Sequence, residues 1–395
     1  MRRAFWSLVL VSWAASGTAH AYPFMIRHGY TQCASCHTDP SGGTLLNEYG
    51  RAQSELLLSS IYGHEEELSD SAGAEPTAGG LLGLAALPSW LRLGGWLREG
   101  YIWNAVDGRI VDRRLLQMRA DVGADLRIGA FRAAAELGYS SADATTFTQL
   151  AQITRSTTGP NLIGREFWAG VETFGGDGLL RAGRINVPFG LRNLEHTSFV
   201  RTATQTDINE DQTYGVAFAI SRPAWRAEMM AFLGNLSVHP DAYRERGGAG
   251  YLEVSLAPTT ALGVSALAAR SDASLATRLP TLRQAYGGFA RASPWQPVVV
   301  QVEADLLLNN QLGSGAQDVG HAEWLQTDVE VFRGLHLLGA LEGMKTGATP
   351  VLQKGAWASL WWFAFPHVDF RADVVQRWSE GPSTLTVLVQ ANGYL

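Results

Sequence analysis

The sequence predicts an all-β fold: an antiparallel transmembrane β-barrel of about 16 strands, preceded by a small α-helical segment. Three observations carry this prediction. From Trp90 onward, apolar and polar residues alternate with a period of two. The joins between those stretches alternate between tight turns and longer polar loops. After residue 21 no apolar run approaches the roughly 20 residues of a membrane-spanning helix. A chain of this kind that crosses a membrane must do so as a closed barrel, because lipid cannot satisfy an open sheet edge.

Composition sets the outer bounds. The chain has 395 residues, of which 17% are charged, against an ordinary share of about 25%. Its net charge of −6 provides no basic stripe, so nucleic-acid binding is not expected. Only two cysteines occur, and both fall in one motif, so no disulfide framework is expected.

The first element is a leader. Arg2 and Arg3 precede the apolar stretch 4–15, and Ala19-His20-Ala21 has the small-residue pattern of a signal-peptidase site. Residues 1–21 are therefore read as a signal peptide and Tyr22 as the start of the exported chain. The second element, 22–63, contains Cys33-Ala34-Ser35-Cys36-His37. A Cys-x-x-Cys-His run is the attachment site of a c-type haem. Cys33 and Cys36 would each take one vinyl group, and His37 would bind the iron as proximal ligand.

Rival chemistries for the motif are a thioredoxin-type dithiol and a zinc site completed by His28. The first needs a helix straight after the motif, where this chain has the turn sequence Pro40-Ser41-Gly42-Gly43. The second needs four ligands in all. Export and the His next to Cys36 favour haem. Residues 44–61 place Leu45, Tyr49, Ala52, Leu56 and Ile61 at helical spacing and predict an amphipathic helix. For the sixth iron position, His28 is the expected distal ligand. His64, Met25 and the Tyr22 amine are alternatives, and an open position is another. About 40 residues cannot build a sufficient core alone, so this segment should lean on the rest of the chain.

Residues 64–88 are acidic and rich in breakers, and read as a linker. The barrel occupies 89–395. Leu116, Met118, Ala120, Val122, Ala124, Leu126 and Ile128 alternate with Gln117, Arg119, Asp121, Gly123, Asp125 and Arg127. Strands are expected at 90–103, 114–128, 131–140, 162–173, 178–186, 212–220, 224–234, 249–256, 261–270, 284–292, 298–308, 321–332, 335–344, 355–365, 367–378 and 384–395. Trp90, Trp103, Trp168, Trp225, Trp295, Trp361, Trp362, Trp378 and Tyr394 are expected in aromatic girdles. Arg92, Arg98, Arg119 and Arg127 share the lumen with Asp121, Asp125, Glu136, Glu303 and Asp305, so neither sign dominates. The longest join, 187–211, reads as a solvated outer loop. Folding inward to narrow the pore, or holding a divalent cation on the acidic run 207–211, are its alternatives.

Leu180-Arg-Ala-Gly-Arg-Ile-Asn-Val-Pro188-Phe189-Gly190-Leu191 resembles the strand-to-loop segment of the phosphate-selective porins O and P. The resemblance implies a porin-like fold and carries no substrate with it. Pro23-Phe-Met-Ile-Arg27-His-Gly-Tyr30, the haem motif and Tyr49-Gly-Arg51 together resemble exported monohaem cytochromes fused to barrel-like domains. Tyr22-Pro23-Phe24 is similar to the mature start of cytochrome f, whose terminal amine binds iron.

These readings lead to an outer-membrane, porin-like cytochrome with one covalent haem c at the periplasmic face. The expected role is electron transfer and not enzymatic catalysis, with a periplasmic cytochrome or other electron-transfer protein as partner and lipid around the barrel; a haem peroxidase, which needs an open sixth position, is a third reading. A passive diffusion porin with the haem segment as plug or redox-sensitive gate is the alternative.

Overall fold

The computed structural model describes residues 23–42, 45–61, 87–141, 153–154, 156, 160–192, 195, 197–208, 211–274, 277–347 and 349–395. The leader, Tyr22, His64 and nearly all of the linker lie outside the described residues. Sixteen strands form one closed antiparallel barrel in which each strand pairs with its sequence neighbours and β1 pairs with β16. They are β1 Leu91–Val106, β2 Arg109–Ile128, β3 Phe131–Ser140, β4 Asn161–Thr173, β5 Gly178–Ile185, β6 Thr213–Arg222, β7 Trp225–Gly234 and β8 Arg246–Ala257. The second half comprises β9 Thr260–Ser271, β10 Thr281–Trp295, β11 Val298–Gln311, β12 Gln317–Phe332, β13 Leu335–Thr346, β14 Thr349–Phe365, β15 Val368–Trp378 and β16 Thr384–Tyr394.

Every expected strand is found, and the differences lie at the ends. The expected join 104–113 is a two-residue turn, Asp107-Gly108, with φ of 48° and 76°. Those values suit the tight turn that matches the twist of paired strands. Polar residues therefore carry β1 and β2 beyond their apolar span. Residues 309–311 and 317–320 likewise extend β11 and β12.

The alternation sorts side chains by environment. Val122, Val264, Leu306, Leu341, Val374 and Val389 lie exposed on the outer surface. Asp121, Asp125, Glu228, Glu253, Glu303, Asp328 and Asp373 are buried inside. This is the inside-out pattern of a barrel surrounded by hydrocarbon. The aromatic girdle is only partly as expected. Trp90, Trp225, Trp295, Trp362 and Trp378 face outward, whereas Trp168, Trp361 and Tyr394 are buried. Trp168 and Trp361 stack under arginines (Arg181 and Arg371), and Tyr394 hydrogen-bonds Ser54, so the polar lumen contacts hold them inward.

The lumen is entered from both ends. From the short-turn end comes the segment 23–61. Its helix α1, Glu48–Gln53, is capped by the Asn47 side chain accepting from Gly50 N at 2.9 Å. It runs on as a π-helical turn, Ser54–Leu58. The helix expected over 44–61 is thus shorter and differently wound. Asn47 caps its start and Ser59 ends it, and the Ser54 and Ser60 hydroxyls bond the barrel wall.

From the long-loop end comes 187–211, which does not form a solvated loop. Its helix α2, Phe199–Thr204, buries Phe199, Val200, Arg201 and Thr204 against β11, β12 and β13. Arg201 pairs with Glu303, and Phe199 N donates to Glu342 at 2.8 Å. Buried carboxylates on the far wall hold the helix N-terminus and its arginine, which overrides the loop's polar composition. Among the described residues no cluster of three metal-ligating side chains forms at 207–211 or elsewhere.

Candidate functional site at the short-turn mouth

The segment 23–61 crosses the mouth and touches most of its circumference. Arg51 donates to Leu93 O on β1. Arg132 on β3 donates to Thr38 O at 2.9 Å. Arg181 on β5 forms an ion pair with Asp39 at 2.6 Å and donates to Ser41 Oγ at 2.9 Å. Arg192, beyond β5, donates to Ser41 O at 2.5 Å. Arg226 on β7 reaches Cys33 Sγ at 2.6 Å, and Arg291 on β10 donates to Thr31 O at 2.5 Å. Arg27 pairs with Glu330 on β12 at 2.7 Å. The Tyr394 hydroxyl on β16 lies 2.7 Å from Ser54 Oγ.

An apolar anchor complements this ring. Phe24, Met25, Ile26 and Leu58 pack with Ala261, Val299, Leu338, Trp361 and Phe363. Phe24 lies 4.5 Å from the His336 ring and edge-on to Trp361 at 5.8 Å. A buried phenylalanine contributes about 3–5 kcal/mol against truncation to alanine. The segment therefore completes its core with barrel residues, as its length requires.

The motif itself forms a single helical turn. Cys36 N donates to Cys33 O at 3.1 Å and His37 N to the same oxygen at 3.0 Å. The turn sends its two sulfurs to different walls: Cys33 faces Arg226 on β7, and Cys36 faces β1 and β16. Both thiols are buried and no disulfide joins them. Cys36 packs with Leu46, Trp96 and Tyr394. His37 Nδ1 is buried without a hydrogen-bond partner among the described residues. Burial lowers the His37 pKa to about 4, with Asp39 opposing, so the ring is neutral and able to act as a ligand at neutral pH.

His37 lines a cavity of about 350 Å³ at the short-turn end, with Tyr49, Arg92, Arg127, Arg132 and Glu172 among its walls. That size lies near the lower end of small-molecule cavities, roughly 300–1,000 Å³. Two unbridged buried thiols and a neutral imidazole are the donor types that a covalently attached haem uses, while the adjoining cavity is lined by His37 and by neither cysteine.

His28 is placed elsewhere. It accepts from Arg27 Nε at 2.8 Å and faces the Tyr30 ring, close to Glu330 and His336 on the β12–β13 wall. It does not line the cavity beside His37. Burial, and then Arg27, lower its pKa to about 4 against the pull of Glu330. Asp39 is also buried, but Arg181 and Arg192 outweigh the desolvation and hold its carboxyl below the usual range.

Sequence reasoning missed the wall residues that grip the segment: Arg132, Arg181, Arg192, Arg226, Arg291 and Glu330. For those on strands the only sequence signal is a charge on the lumen side of an alternating strand, and Arg192, beyond β5, lacks even that. The pairing spans far too much chain to be read locally.

No family model matches the chain, and no curated protein is similar to it. Solved structures do share its fold. A loop L8 deletion mutant of OmpT, an outer membrane protein of Vibrio cholerae, superposes with a TM-score of 0.58 at 10% identity, covering 77% of this chain and 99% of that one. An anion-selective porin from Comamonas acidovorans gives the same TM-score, identity and coverage. The outer membrane channel DcaP of Acinetobacter baumannii gives 0.56 at 13% identity, covering 77% of this chain and 97% of that one. The chain thus has the porin-like, sixteen-stranded barrel fold of outer-membrane proteins.

Proposed function

We propose that the chain is an outer-membrane diffusion channel whose periplasmic mouth is held by a plug, residues 23–61, carrying one covalent haem c. Cys33 and Cys36 are the anchors and His37 the proximal ligand. The haem would supply one-electron redox chemistry. The chain's own residues seat the plug: arginines on β3, β5 and β10 bind its carbonyls and Asp39, and Phe24, Met25 and Ile26 fix its first turn. The observation that carries this reading is the ring of wall contacts around the mouth, from β1 to β16. The exposed apolar belt supports a membrane location, and the short-turn end is the periplasmic one in bacterial barrels.

The second reading is electron exchange with a periplasmic cytochrome, which the His37 cavity at that same end favours. One haem cannot bridge a hydrocarbon core about 30 Å thick, so this exchange would be confined to the periplasmic side. As distal ligand, His28 would have to leave Arg27 and Tyr30.

Two measurements separate the readings. In planar bilayers, ion conductance of the full chain is recorded under oxidising and reducing conditions. Conductance that follows the redox state supports the gate. Rapid haem oxidation by a small ferric c-type cytochrome, at constant conductance, supports electron exchange. A purified chain with no pyridine-haemochrome signal after expression with the c-type maturation system would remove the haem from both.

A further inference from the structure

A second cavity, of about 270 Å³, lies at the opposite, long-loop end between the inward-folded loop and the wall from β6 to β11. Its floor is apolar: Val187, Phe232 and Leu267 belong to one buried cluster. Among the described residues its charged lining groups are Asp211, Glu245 and Arg283, two carboxylates to one guanidinium. Arg283 is fully engaged, donating from Nε to Glu245 at 2.9 Å, to its second oxygen, and from Nη1 to Thr204 O at 2.6 Å.

Asp211 has no cationic partner within salt-bridge distance among the described residues. Its Oδ2 accepts only the Asp207 N–H, at 2.9 Å. The nearby Arg184 is directed instead at Asn235, Gln212 and the Arg165 carbonyl. Thr213 is 6% exposed, lines the same cavity, and its hydroxyl finds no hydrogen-bond partner among the described residues. The buried Thr213 hydroxyl is costly while it is unsatisfied, and the half-buried Asp211 carboxylate beside it carries a charge that no described cation offsets by direct contact.

We infer that this cavity is a binding site for a small primary alkylammonium ion. The ammonium supplies three N–H donors and one positive charge. Those complement the Asp211 carboxylate and the Thr213 oxygen, and they neutralise the excess acid. The alkyl tail covers Val187, Phe232 and Leu267. A cation without N–H donors satisfies the charge but not the hydroxyl or the directed hydrogen bonds.

The test is titration calorimetry of the full chain in detergent with n-butylammonium, using tetramethylammonium as the comparison. Saturable binding of butylammonium is expected at pH 7.5, and Asp211→Asn should weaken it by about 10- to 100-fold, the scale of a lost charge-assisted hydrogen bond. Thr213→Val should weaken it less, and tetramethylammonium should bind more weakly than butylammonium. Binding should also fade as pH falls through about 6, where burial has raised the Asp211 carboxyl. Asp207, Glu245, Arg283 and Arg184 face that carboxylate from the neighbouring elements and are included in this expectation. Absence of saturable binding, equal binding of both cations, or equal affinity in Asp211→Asn would each overturn the assignment. Heat-modifiable electrophoretic mobility verifies that both variants are folded barrels, and Thr213→Val tests the site should Asp211→Asn fail to fold.

Discussion

Replacing Asp39 with asparagine should loosen the plug without disturbing the barrel. The Asp39–Arg181 ion pair spans 2.6 Å, with side chains 4% and 0% exposed. Breaking such a buried pair costs about 3–5 kcal/mol, largely because one charge is left behind. Here Arg181 retains Glu228 at 2.6 Å, so the low end, about 3 kcal/mol, applies. That corresponds to roughly a hundredfold rise in the population of the unseated segment. Limited trypsinolysis reads this population directly, since Arg27 and Arg51 are cleavable only when the segment is out. Cleavage at both sites should accelerate about a hundredfold while the barrel stays intact. A change below about fivefold would refute the reasoning, because it would mean that the pair adds nothing net to seating. Asp39 contributes at neutral pH, because its depressed pKa keeps the carboxylate charged. Its contribution is lost only as pH falls below the free value of about 3.9 and through the lower seated one.

Further outcomes follow from the same contacts. Phe24→Ala should raise cleavage at Arg27 by a larger factor, since it removes about 3–5 kcal/mol of packing. Seating should weaken between about pH 6.5 and 4, where a released His28 takes up a proton that the seated ring resists, and His28→Gln should flatten that part of a trypsinolysis–pH curve. Cys33→Ala and Cys36→Ala together should abolish covalent haem as read by haem-stained gels, while His37→Ala should keep the thioethers but alter the Soret spectrum. Glu303→Gln should release α2 from the far wall, seen as increased single-channel conductance or noise, because the Arg201–Glu303 pair is almost fully buried.

The barrel was legible because its signal is repeated in every strand. A period of two with tight turns at every second join fixes strand number and order together. What escaped was local turn chemistry at Asp107-Gly108, a dipeptide that itself favours a tight hairpin. Treating its polar flanks as loop hid the continuation of β1 and β2. The inward loop was misread for a related reason: Phe189, Leu191, Phe199 and Val200 are an apolar minority in a polar stretch, and only the buried carboxylates opposite reveal their destination. The haem motif could be read as residues but not as surroundings. His28 and His37 are close in sequence, yet the segment crosses the mouth between them and leaves them on different walls. No periodicity encodes that separation.

The seam of the barrel carries a consequence for assembly. β1 and β16 close the sheet, and β16 also provides Tyr394, whose hydroxyl meets Ser54, while Leu395 N donates to Gly95 O at 3.0 Å. The plug is made early in synthesis, but part of its berth belongs to the last strand. Its full berth therefore exists only once the whole sheet has zipped. Any covalent modification of its cysteines has the interval before that in which to occur, and closure of the seam then encloses the modified segment.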